Sequence, residues 1–314
     1  MSKIIYAPTI QLDTKLIQKI APDYQVIVKP QEVSLERVEI VIDTGEIANQ
    51  ILKLENNQLK WIQALSAGVN YFDLARVAEQ NIFLTNMKGL HAVTISEHVI
   101  LTMMYANHQF SDAIRMQSQQ IWDTDYFAPK TLENERVLIF GTGEIGGELA
   151  RQLKSHGAIP IGINTTGYPV THFEKVFAMQ DYEFALKEKI YTIVNILPLT
   201  EATYHFYDAS FFTHLKSNVK FINVGRGQSV DTEALITAIQ QDLITFAALD
   251  VFETEPLAAD SPLWKMENVL ITPHMAGNIP NFSASVLDYF LPNLKHYLKF
   301  GMPDKNCVDP TKGY

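Results

Sequence analysis

The sequence has a single cysteine, Cys307, among its 314 residues. One cysteine excludes an intrachain disulfide framework and a cysteine-based zinc cluster, and this usage is typical of a reducing compartment. Residues 1–6 also lack the sustained apolar core and the small-residue cleavage site of a signal peptide. We therefore expect a cytoplasmic protein.

The chain is also short of positive charge and of long apolar runs. It has 25 Lys and Arg residues against 35 Asp and Glu, a formal net charge of −10. A protein that coats nucleic acid needs clustered Lys and Arg against the phosphates, so this class is excluded. The longest stretches without charged side chains, 155–173 and 268–287, are interrupted by Gly, Pro and Asn, which argues against a membrane span. We expect neither nucleic acid nor membrane as a partner.

Short apolar runs alternate with segments of helical periodicity along nearly the whole chain. This pattern predicts an α/β fold with two Rossmann-like or flavodoxin-like domains, in which parallel sheets are flanked by helices. Strands are predicted near 4–7, 25–28, 39–43, 61–64, 82–84, 136–140, 159–163, 192–196, 220–224, 245–249 and 268–271. A last helix is predicted over 281–300, with a break or kink near residue 291 because Pro292 follows.

A long helix is predicted to connect the two domains. Thr94 and Glu97 have the spacing of a capping box, so the helix is expected to begin at Thr94. Its apolar face is expected to contain Val99, Met103, Ala106, Phe110 and Ile114. Metal binding by the nearby His91, His98 and His108 would need facing ligands and a carboxylate or thiolate partner, so we interpret these histidines as structural and predict no metal site.

A glycine-rich motif follows the predicted strand at 136–140. It reads Gly141-Thr142-Gly143-Glu144-Ile145-Gly146 and is followed by a helix to about residue 156. Strand, glycines and helix come in the order that a dinucleotide-binding fold requires. In that fold the first glycine allows a tight turn, the second lets the backbone approach the pyrophosphate, and the helix amides face the anion.

Chemically distinctive residues follow several other predicted strands. Ligands bind beyond the carboxyl ends of the strands in open parallel sheets. Arg226, Glu255 and His274 each follow a strand, and Leu197-Pro198 begins a rigid loop after another. These are the parts needed for hydride transfer to a 2-keto acid. Arg226 would bind the substrate carboxylate with two parallel hydrogen bonds, and His274 would give a proton to the ketone oxygen. Glu255 would orient the imidazole and favour its charged form.

These residues carry a family resemblance. The chain resembles the D-isomer-specific 2-hydroxyacid dehydrogenase family, which includes glyoxylate/hydroxypyruvate reductases and phosphoglycerate dehydrogenases. Matching segments follow the family order at 66–69, 141–146, 197–200 with Thr203, 223–227 with 230–231, 249–256, 272–274 and 306–309. By this resemblance the family's catalytic Arg, Glu and His fall on Arg226, Glu255 and His274.

The resemblance also implies the ligand contacts. Main-chain amides of Ala67 and Gly68 would bind the substrate carboxylate as an anion nest. Besides the glycine-rich motif, the residues that would hold NAD(P) are Asn164, Thr165, Thr166, Leu197, Pro198, Thr203, Val224, Gly225, Asp250, Ala276 and Gly277. A substrate-binding domain of residues 1–98 and 285–314, a dinucleotide-binding domain of 99–284, an active site in the cleft between them and a homodimer are implied as well.

One departure from the family concerns the choice of cofactor. Asn164 stands at the end of the second Rossmann strand, where an NAD enzyme usually has Asp or Glu to bind the ribose 2′-hydroxyl. Without that charge a 2′-phosphate is not repelled, and the hydroxyls of Thr165 and Thr166 are available to it. No Arg or Lys lies in this loop. The sequence therefore favours NADP only slightly over NAD.

Two functional interpretations remain open. The first is an NAD(P)-dependent reductase of a small 2-keto acid. The second is a dinucleotide-sensing scaffold, like the corepressors that share this fold and these three residues, because a fold alone does not separate the two. A formate dehydrogenase is disfavoured because that branch is expected to carry an amide in place of Glu255. The sequence does not identify the 2-hydroxy acid, although Tyr71, Leu90, His91 and Met275 are candidates for selecting its side chain.

Overall fold

The computed structural model describes residues 3–28, 33–215 and 218–312. The chain divides into two compact units, Met1–His91 with Ile279–Tyr314, and Ala92–Asn278. These boundaries lie a few residues before the predicted domain boundaries at 98/99 and 284/285, and the functional assignment of the two domains stays a prediction. Among the described residues, no helix is both long and apolar enough to cross a bilayer.

Strands and helices alternate through both units. The strands are β1 (Lys3–Ala7), β2 (Tyr24–Val28), β3 (Val38–Asp43), β4 (Trp61–Ala64), β5 (Phe83–Thr85), β6 (Arg136–Phe140), β7 (Ile159–Asn164), β8 (Lys175–Ala178), β9 (Thr192–Asn195), β10 (Val219–Asn223), β11 (Ile244–Leu249) and β12 (Val269–Ile271). The helices are α1 (Thr14–Ile20), α2 (Glu46–Leu52), α3 (Leu74–Glu79), α4 (Ala92–Asn107), α5 (Phe110–Ser118), α6 (Glu144–Ser155), α7 (Tyr182–Leu186), α8 (Ala209–Thr213), α9 (Thr232–Gln240) and α10 (Phe282–Phe300).

The first unit contains a five-stranded parallel sheet in the order β2-β1-β3-β4-β5. This is the order of flavodoxin-like sheets, in which the direction of winding reverses between β1 and β3. The last helix, α10, belongs to the core of this unit. Phe290 of α10 stacks on Trp61 of β4 with ring centroids 5.0 Å apart, and Leu294 is buried in the same cluster.

The second unit contains a seven-stranded parallel sheet in the order β12-β11-β10-β9-β6-β7-β8. The winding reverses between β6 and β9, and this reversal opens a crevice at the carboxyl ends of the strands. Both faces of the sheet are covered. Leu138 and Phe140 of β6 pack against Phe211, whereas Val137 and Ile139 pack among side chains of α4 and α6. Strands covered on both faces read as continuous apolar runs, which is why they were predictable.

The α/β fold class and every predicted strand are confirmed, with strand ends within one residue. Strand β8 was not predicted, because this short strand lies at an edge of the sheet, begins with an exposed lysine and is only partly buried.

The predicted start of the connecting helix was wrong. The helix α4 begins at Ala92, so Thr94 lies inside its first turn and does not cap it, because the turn at 88–91 continues directly into the helix. The helix also ends early, and Gln109 with φ of 54° precedes α5. Phe110 and Ile114, expected on the buried face, are therefore 52% and 55% exposed.

The last helix is continuous, so of the two outcomes expected at Pro292 the break was wrong. Helix α10 runs from Phe282 to Phe300 with Pro292 inside it. Proline removes one backbone hydrogen bond, but Pro292 and Asp288, whose carbonyl loses that bond, are both exposed. Water can bind the carbonyl, and the buried side chains of the helix hold it against the sheet.

Candidate active site

The glycine-rich turn joins β6 to α6. Gly141 has φ of +106°, a conformation that favours glycine, and a Cβ on Gly146 would lie 1.9 Å from the Gly141 carbonyl oxygen. A Cβ on Gly143 would meet nothing within 4 Å. The turn therefore borders open space at the start of α6, where the first-turn amides have no acceptor within the helix. This edge fits the pyrophosphate of a dinucleotide. Glu144 is exposed in the first turn and Ile145 is half-buried.

The side-chain amide of Asn164, at the end of β7, makes hydrogen bonds to its own loop and to the glycine-rich turn. Its Nδ2 donates to Thr142 Oγ1 at 3.1 Å and to the Tyr168 carbonyl at 3.0 Å. Its Oδ1 accepts from the amides of Thr166 and Gly167 at 3.2 and 2.7 Å. The side chain is thus a brace that ties this loop to the glycine-rich turn. Thr165 and Thr166 of the same loop are exposed.

The loop after β9 is held in one shape by its own polar groups. Asn195 Oδ1 accepts from the Leu197 amide at 3.0 Å. Thr203 Oγ1 donates to the Pro198 carbonyl at 2.7 Å and accepts from the Thr200 amide at 2.8 Å. Thr203, predicted as a cofactor residue, is buried and braces Pro198. The loop that begins at Leu197-Pro198 is thus fixed by its own hydrogen bonds, and its contact with a ligand stays a prediction.

Arg226 follows β10, and hydrogen bonds to its carbonyl hold its backbone in place. Its carbonyl accepts from Ser229 Oγ at 2.6 Å and from Asn223 Nδ2 at 3.4 Å. Its side chain is half-buried, and Nη1 donates to the Gly225 carbonyl at 2.8 Å. A Cβ on Gly225 would lie 2.9 Å from the carbonyl oxygen of Leu197. The loops after β9 and β10 are therefore in close contact.

Glu255 and His274 lie beside each other at the ends of β11 and β12. His274 Nδ1 is 2.8 Å from Glu255 Oε2, and the two side chains are 54% and 37% exposed. Glu255 Oε1 accepts from the Phe252 amide at 3.0 Å, which fixes the carboxylate. Because the carboxylate occupies Nδ1, Nε2 of His274 is the nitrogen that is left for a ligand. Phe252 also packs under Gly227, where a Cβ would lie 1.9 Å from its carbonyl carbon.

Asp250 holds the loop that carries His274. Its Oδ1 accepts from Thr272 Oγ1 at 2.6 Å and from the Met275 amide at 2.9 Å. Its Oδ2 accepts from the Ala276 amide at 2.9 Å, and its backbone carbonyl accepts from the His274 amide at 2.8 Å. His274 has φ of 52°, which is rare for a residue with a Cβ. These four bonds keep it there.

His98 of α4 extends this arrangement. Its Nε2 lies 3.4 Å from Thr272 Oγ1. Burial lowers the pKa of His98, and the Asp250 carboxylate opposes this effect. The sequence predicts a structural role for His98 and has no signal for this contact, because the two residues are far apart in the chain.

The loop after β4 contains Ala67 and Gly68. Three successive carbonyl oxygens of this loop accept hydrogen bonds. Ser66 O accepts from the Met87 amide at 3.0 Å. Ala67 O accepts from Asn86 Nδ2 at 2.7 Å, and Gly68 O accepts from Ser66 Oγ at 2.7 Å. In the described part of the chain, the amides of Ala67 and Gly68 have no acceptor. They are available to an anion.

The remaining predicted cofactor residues show no liganding role by geometry alone. Val224 and Ala276 are buried, and Gly277 follows Ala276 in the loop after β12.

A cavity of about 1000 Å³ lies at the amino ends of the strands of the seven-stranded sheet, and none of the predicted site residues lines it. It is bordered by Glu135 and Lys220, whose side chains form an ion pair at 2.8 Å.

Comparison with known proteins shows relatives along almost the full chain. A glyoxylate/hydroxypyruvate reductase B from Escherichia fergusonii is 30% identical over 281 residues, 87% of this chain and 85% of that protein. A phosphoglycerate dehydrogenase structure from Lactobacillus plantarum is 34% identical and covers 98% of this chain and 100% of that one, with a TM-score of 0.60. A D-isomer specific 2-hydroxyacid dehydrogenase structure from Xanthobacter autotrophicus, in complex with NADPH and MES, is 27% identical, covers 100% and 99%, and has a TM-score of 0.83.

The second unit also matches a defined family. Residues 100–276 match the D-isomer specific 2-hydroxyacid dehydrogenase, NAD binding domain. This match covers more than half of the chain. The protein is an oxidoreductase that acts on CH–OH groups, and the chain belongs to the D-isomer specific 2-hydroxyacid dehydrogenase family.

Proposed function

We propose that this protein reduces a small 2-keto acid, such as glyoxylate or hydroxypyruvate, with a reduced nicotinamide cofactor. The observation that carries the proposal is the 2.8 Å contact between His274 Nδ1 and Glu255 Oε2 at the ends of neighbouring strands. A carboxylate on one ring nitrogen fixes the orientation of the imidazole and leaves the other nitrogen for the substrate. That is the arrangement of an acid that gives a proton to a ketone oxygen.

His274 and Arg226 would have separate tasks in this reaction. The bound nicotinamide supplies the hydride that goes to the carbonyl carbon. His274 donates a proton from Nε2 to the carbonyl oxygen, so that the product is an alcohol, and the ring takes the proton back in the reverse direction. Arg226 binds the substrate carboxylate and holds the carbonyl in position. The free amides of Ala67 and Gly68 are the second proposed anchor for this carboxylate.

The dinucleotide would be held by the turn from Gly141 to Gly146, with the pyrophosphate on the amides at the start of α6. We propose NADP over NAD by a small margin. The absence of a carboxylate at Asn164 supports it, since a carboxylate there would repel a 2′-phosphate. The relative from Xanthobacter autotrophicus, whose structure holds NADPH, agrees with this choice.

Initial rates test the proposal. Purified protein is mixed with glyoxylate, hydroxypyruvate, pyruvate or a branched 2-keto acid, with NADPH and NADH supplied separately, and loss of the reduced cofactor is followed. We expect turnover with at least one acid. His274→Gln should abolish most turnover and leave NADPH affinity near the wild-type value, whereas Arg226→Lys should raise KM and lower kcat because the two-pronged contact is lost. Tight NADPH binding without turnover on any acid would instead favour the dinucleotide-sensing scaffold.

We also propose a homodimer formed through α4, α5 and the segment after them. Apolar side chains in this region are unusually exposed: Leu101 by 64% and Trp122 by 94%. Exposed apolar patches of this kind commonly mark protein interfaces. Sedimentation equilibrium should show a dimer, and Leu101→Glu should dissociate it. A monomeric wild type would contradict this assignment.

A further inference from the structure

The peptide groups around Ala67 and Gly68 are oriented by the bonds on their carbonyl oxygens. In a trans peptide the C=O of one residue points opposite to the N–H of the next. The bond from Asn86 Nδ2 to Ala67 O, at 2.7 Å, therefore sets the direction of the Gly68 N–H. The bond from the Met87 amide to Ser66 O, at 3.0 Å, sets the Ala67 N–H in the same way.

A second side chain secures the far end of the same loop. Ser66 Oγ donates to Gly68 O at 2.7 Å and lies 2.6 Å from Tyr71 Oη. Because the serine proton is used on Gly68 O, the tyrosine is the donor in the second bond. The Tyr71 ring is held over Gly45, where a Cβ would lie 2.6 Å from Cδ2. The Tyr71 backbone carbonyl accepts from Asn49 Nδ2 at 2.9 Å, so the residue is held both at its backbone and at its hydroxyl.

Asn86 is itself fixed from outside the loop. It is 7% exposed, and its Oδ1 accepts from the Lys88 amide at 3.1 Å. The Asn86 amide donates to the Asn306 carbonyl at 3.1 Å, and Asn306 Nδ2 donates back to the Asn86 carbonyl at 3.3 Å. The C-terminal segment therefore holds Asn86 in the position from which it reaches Ala67.

We propose that Asn86 and Tyr71 are positioning residues for the loop whose Ala67 and Gly68 amides bind the substrate carboxylate. Asn86 aims the Gly68 amide through the Ala67 carbonyl, and Tyr71, through Ser66, fixes the Gly68 carbonyl on the other side of that residue. This inference rests on the proposed function, which makes those amides a carboxylate anchor. Neither side chain needs to touch the substrate. Both act through the loop, so their loss should weaken binding of the acid more than it slows the hydride and proton transfers.

The test compares Asn86→Ala and Tyr71→Phe with wild type. Asn86→Ala removes the bond to the Ala67 carbonyl and the acceptor of the Lys88 amide, and it should raise KM for the preferred 2-keto acid about tenfold. Tyr71→Phe removes one hydroxyl and should raise this KM about threefold. The dissociation constant of oxamate, a non-reacting carboxylate measured by calorimetry with saturating reduced cofactor, should rise in parallel. In both variants kcat should stay within about twofold and the dissociation constant of the cofactor should not change.

A control separates positioning from a general loss of structure. Asn57 lies in the same unit. Its Nδ2 donates to the Leu54 carbonyl at 2.9 Å and to Gln80 Oε1 at 3.1 Å, and its Oδ1 accepts from the Leu59 amide at 3.1 Å. Asn57→Ala therefore deletes the same kinds of bond as Asn86→Ala does. Its KM should equal that of wild type. If Asn86→Ala does not fold, Tyr71→Phe decides the question, since it removes one hydroxyl and keeps the ring. An active wild type with unchanged KM and oxamate affinity in the variants would overturn this inference alone. An inactive wild type that binds no oxamate would overturn the proposed function.

Discussion

Replacing Thr272 with valine tests whether the buried carboxylate of Asp250 holds the His274 loop. Thr272 Oγ1 donates to Asp250 Oδ1 at 2.6 Å and lies 3.4 Å from His98 Nε2. Valine has nearly the same shape as threonine without the hydroxyl. The substitution therefore removes these contacts while most of the packing is kept.

The magnitude follows from the partners that remain. A hydrogen bond to a charged group contributes about 1.5–3 kcal/mol. Asp250 is 3% exposed, so water replaces the lost donor poorly. In the valine variant the Asp250 carboxylate still accepts from the amides of Met275 and Ala276, at 2.9 Å each, so it retains hydrogen-bond donors. We therefore expect the middle of the range, a loss of about 2 kcal/mol in the free energy of unfolding. We also expect kcat to fall at least about tenfold, because small displacements of a reacting group are costly.

Urea unfolding and initial-rate kinetics measure the two effects. The matched control is Thr272→Ser, which keeps the hydroxyl and loses one methyl group. Its kcat should stay within about threefold of wild type, since the bond to Asp250 survives. Equal kcat values for the valine and serine variants would refute the reasoning, as would wild-type turnover in the valine variant.

Three further substitutions probe other parts of the chain. Glu135→Gln removes the ion-pair partner of the mostly buried Lys220, whose pKa is lowered by burial. Urea unfolding should show a loss of roughly 3 kcal/mol in the free energy of unfolding. The control Glu133→Gln, at an exposed neighbouring position, should not show this loss. Gly146→Ala places a Cβ 1.9 Å from a carbonyl oxygen of the same turn, so fluorescence titration should show NADPH binding weakened at least about tenfold. Asn164→Asp should lower the ratio of kcat/KM with NADPH to that with NADH, and an unchanged ratio would count against the assignment of this loop to the 2′ position.

The parts of the fold that the sequence predicted are those set by local periodicity. Strands such as β6 are buried on both faces and appear as continuous apolar runs, and glycines with a steric requirement, such as Gly141, mark the turns between them. The order of segments then places the loops at one edge of a parallel sheet. For this reason Glu255 and His274 were expected near each other, and the structure has their atoms 2.8 Å apart. Their catalytic roles remain predictions.

The details that the sequence did not predict depend on where side chains find hydrogen-bond partners. Asn164 was assigned to the cofactor, yet its amide makes four bonds within its own neighbourhood. Thr203 similarly braces a proline in its own loop. A sequence shows that a polar residue lies at a strand end, but the path of the loop decides whether the side chain faces a ligand or the backbone. The role of Asn86 was missed for the same reason.

Buried polar residues at the strand ends explain how these loops keep their shape. Asn195, Asn223 and Asp250 close or directly follow three adjacent strands and are 0%, 1% and 3% exposed. Each side chain accepts a hydrogen bond from at least one backbone amide of a loop at the carboxyl ends of the strands, at 2.9 to 3.1 Å. A buried polar group without partners is destabilising, so each of these side chains favours only the loop path that supplies its donors. The proposed reactive residues stand a few positions further along, as Arg226 does after Asn223. Substitutions at the strand-end positions should therefore displace the reactive groups without touching them, which makes their effects on kcat a measure of loop geometry.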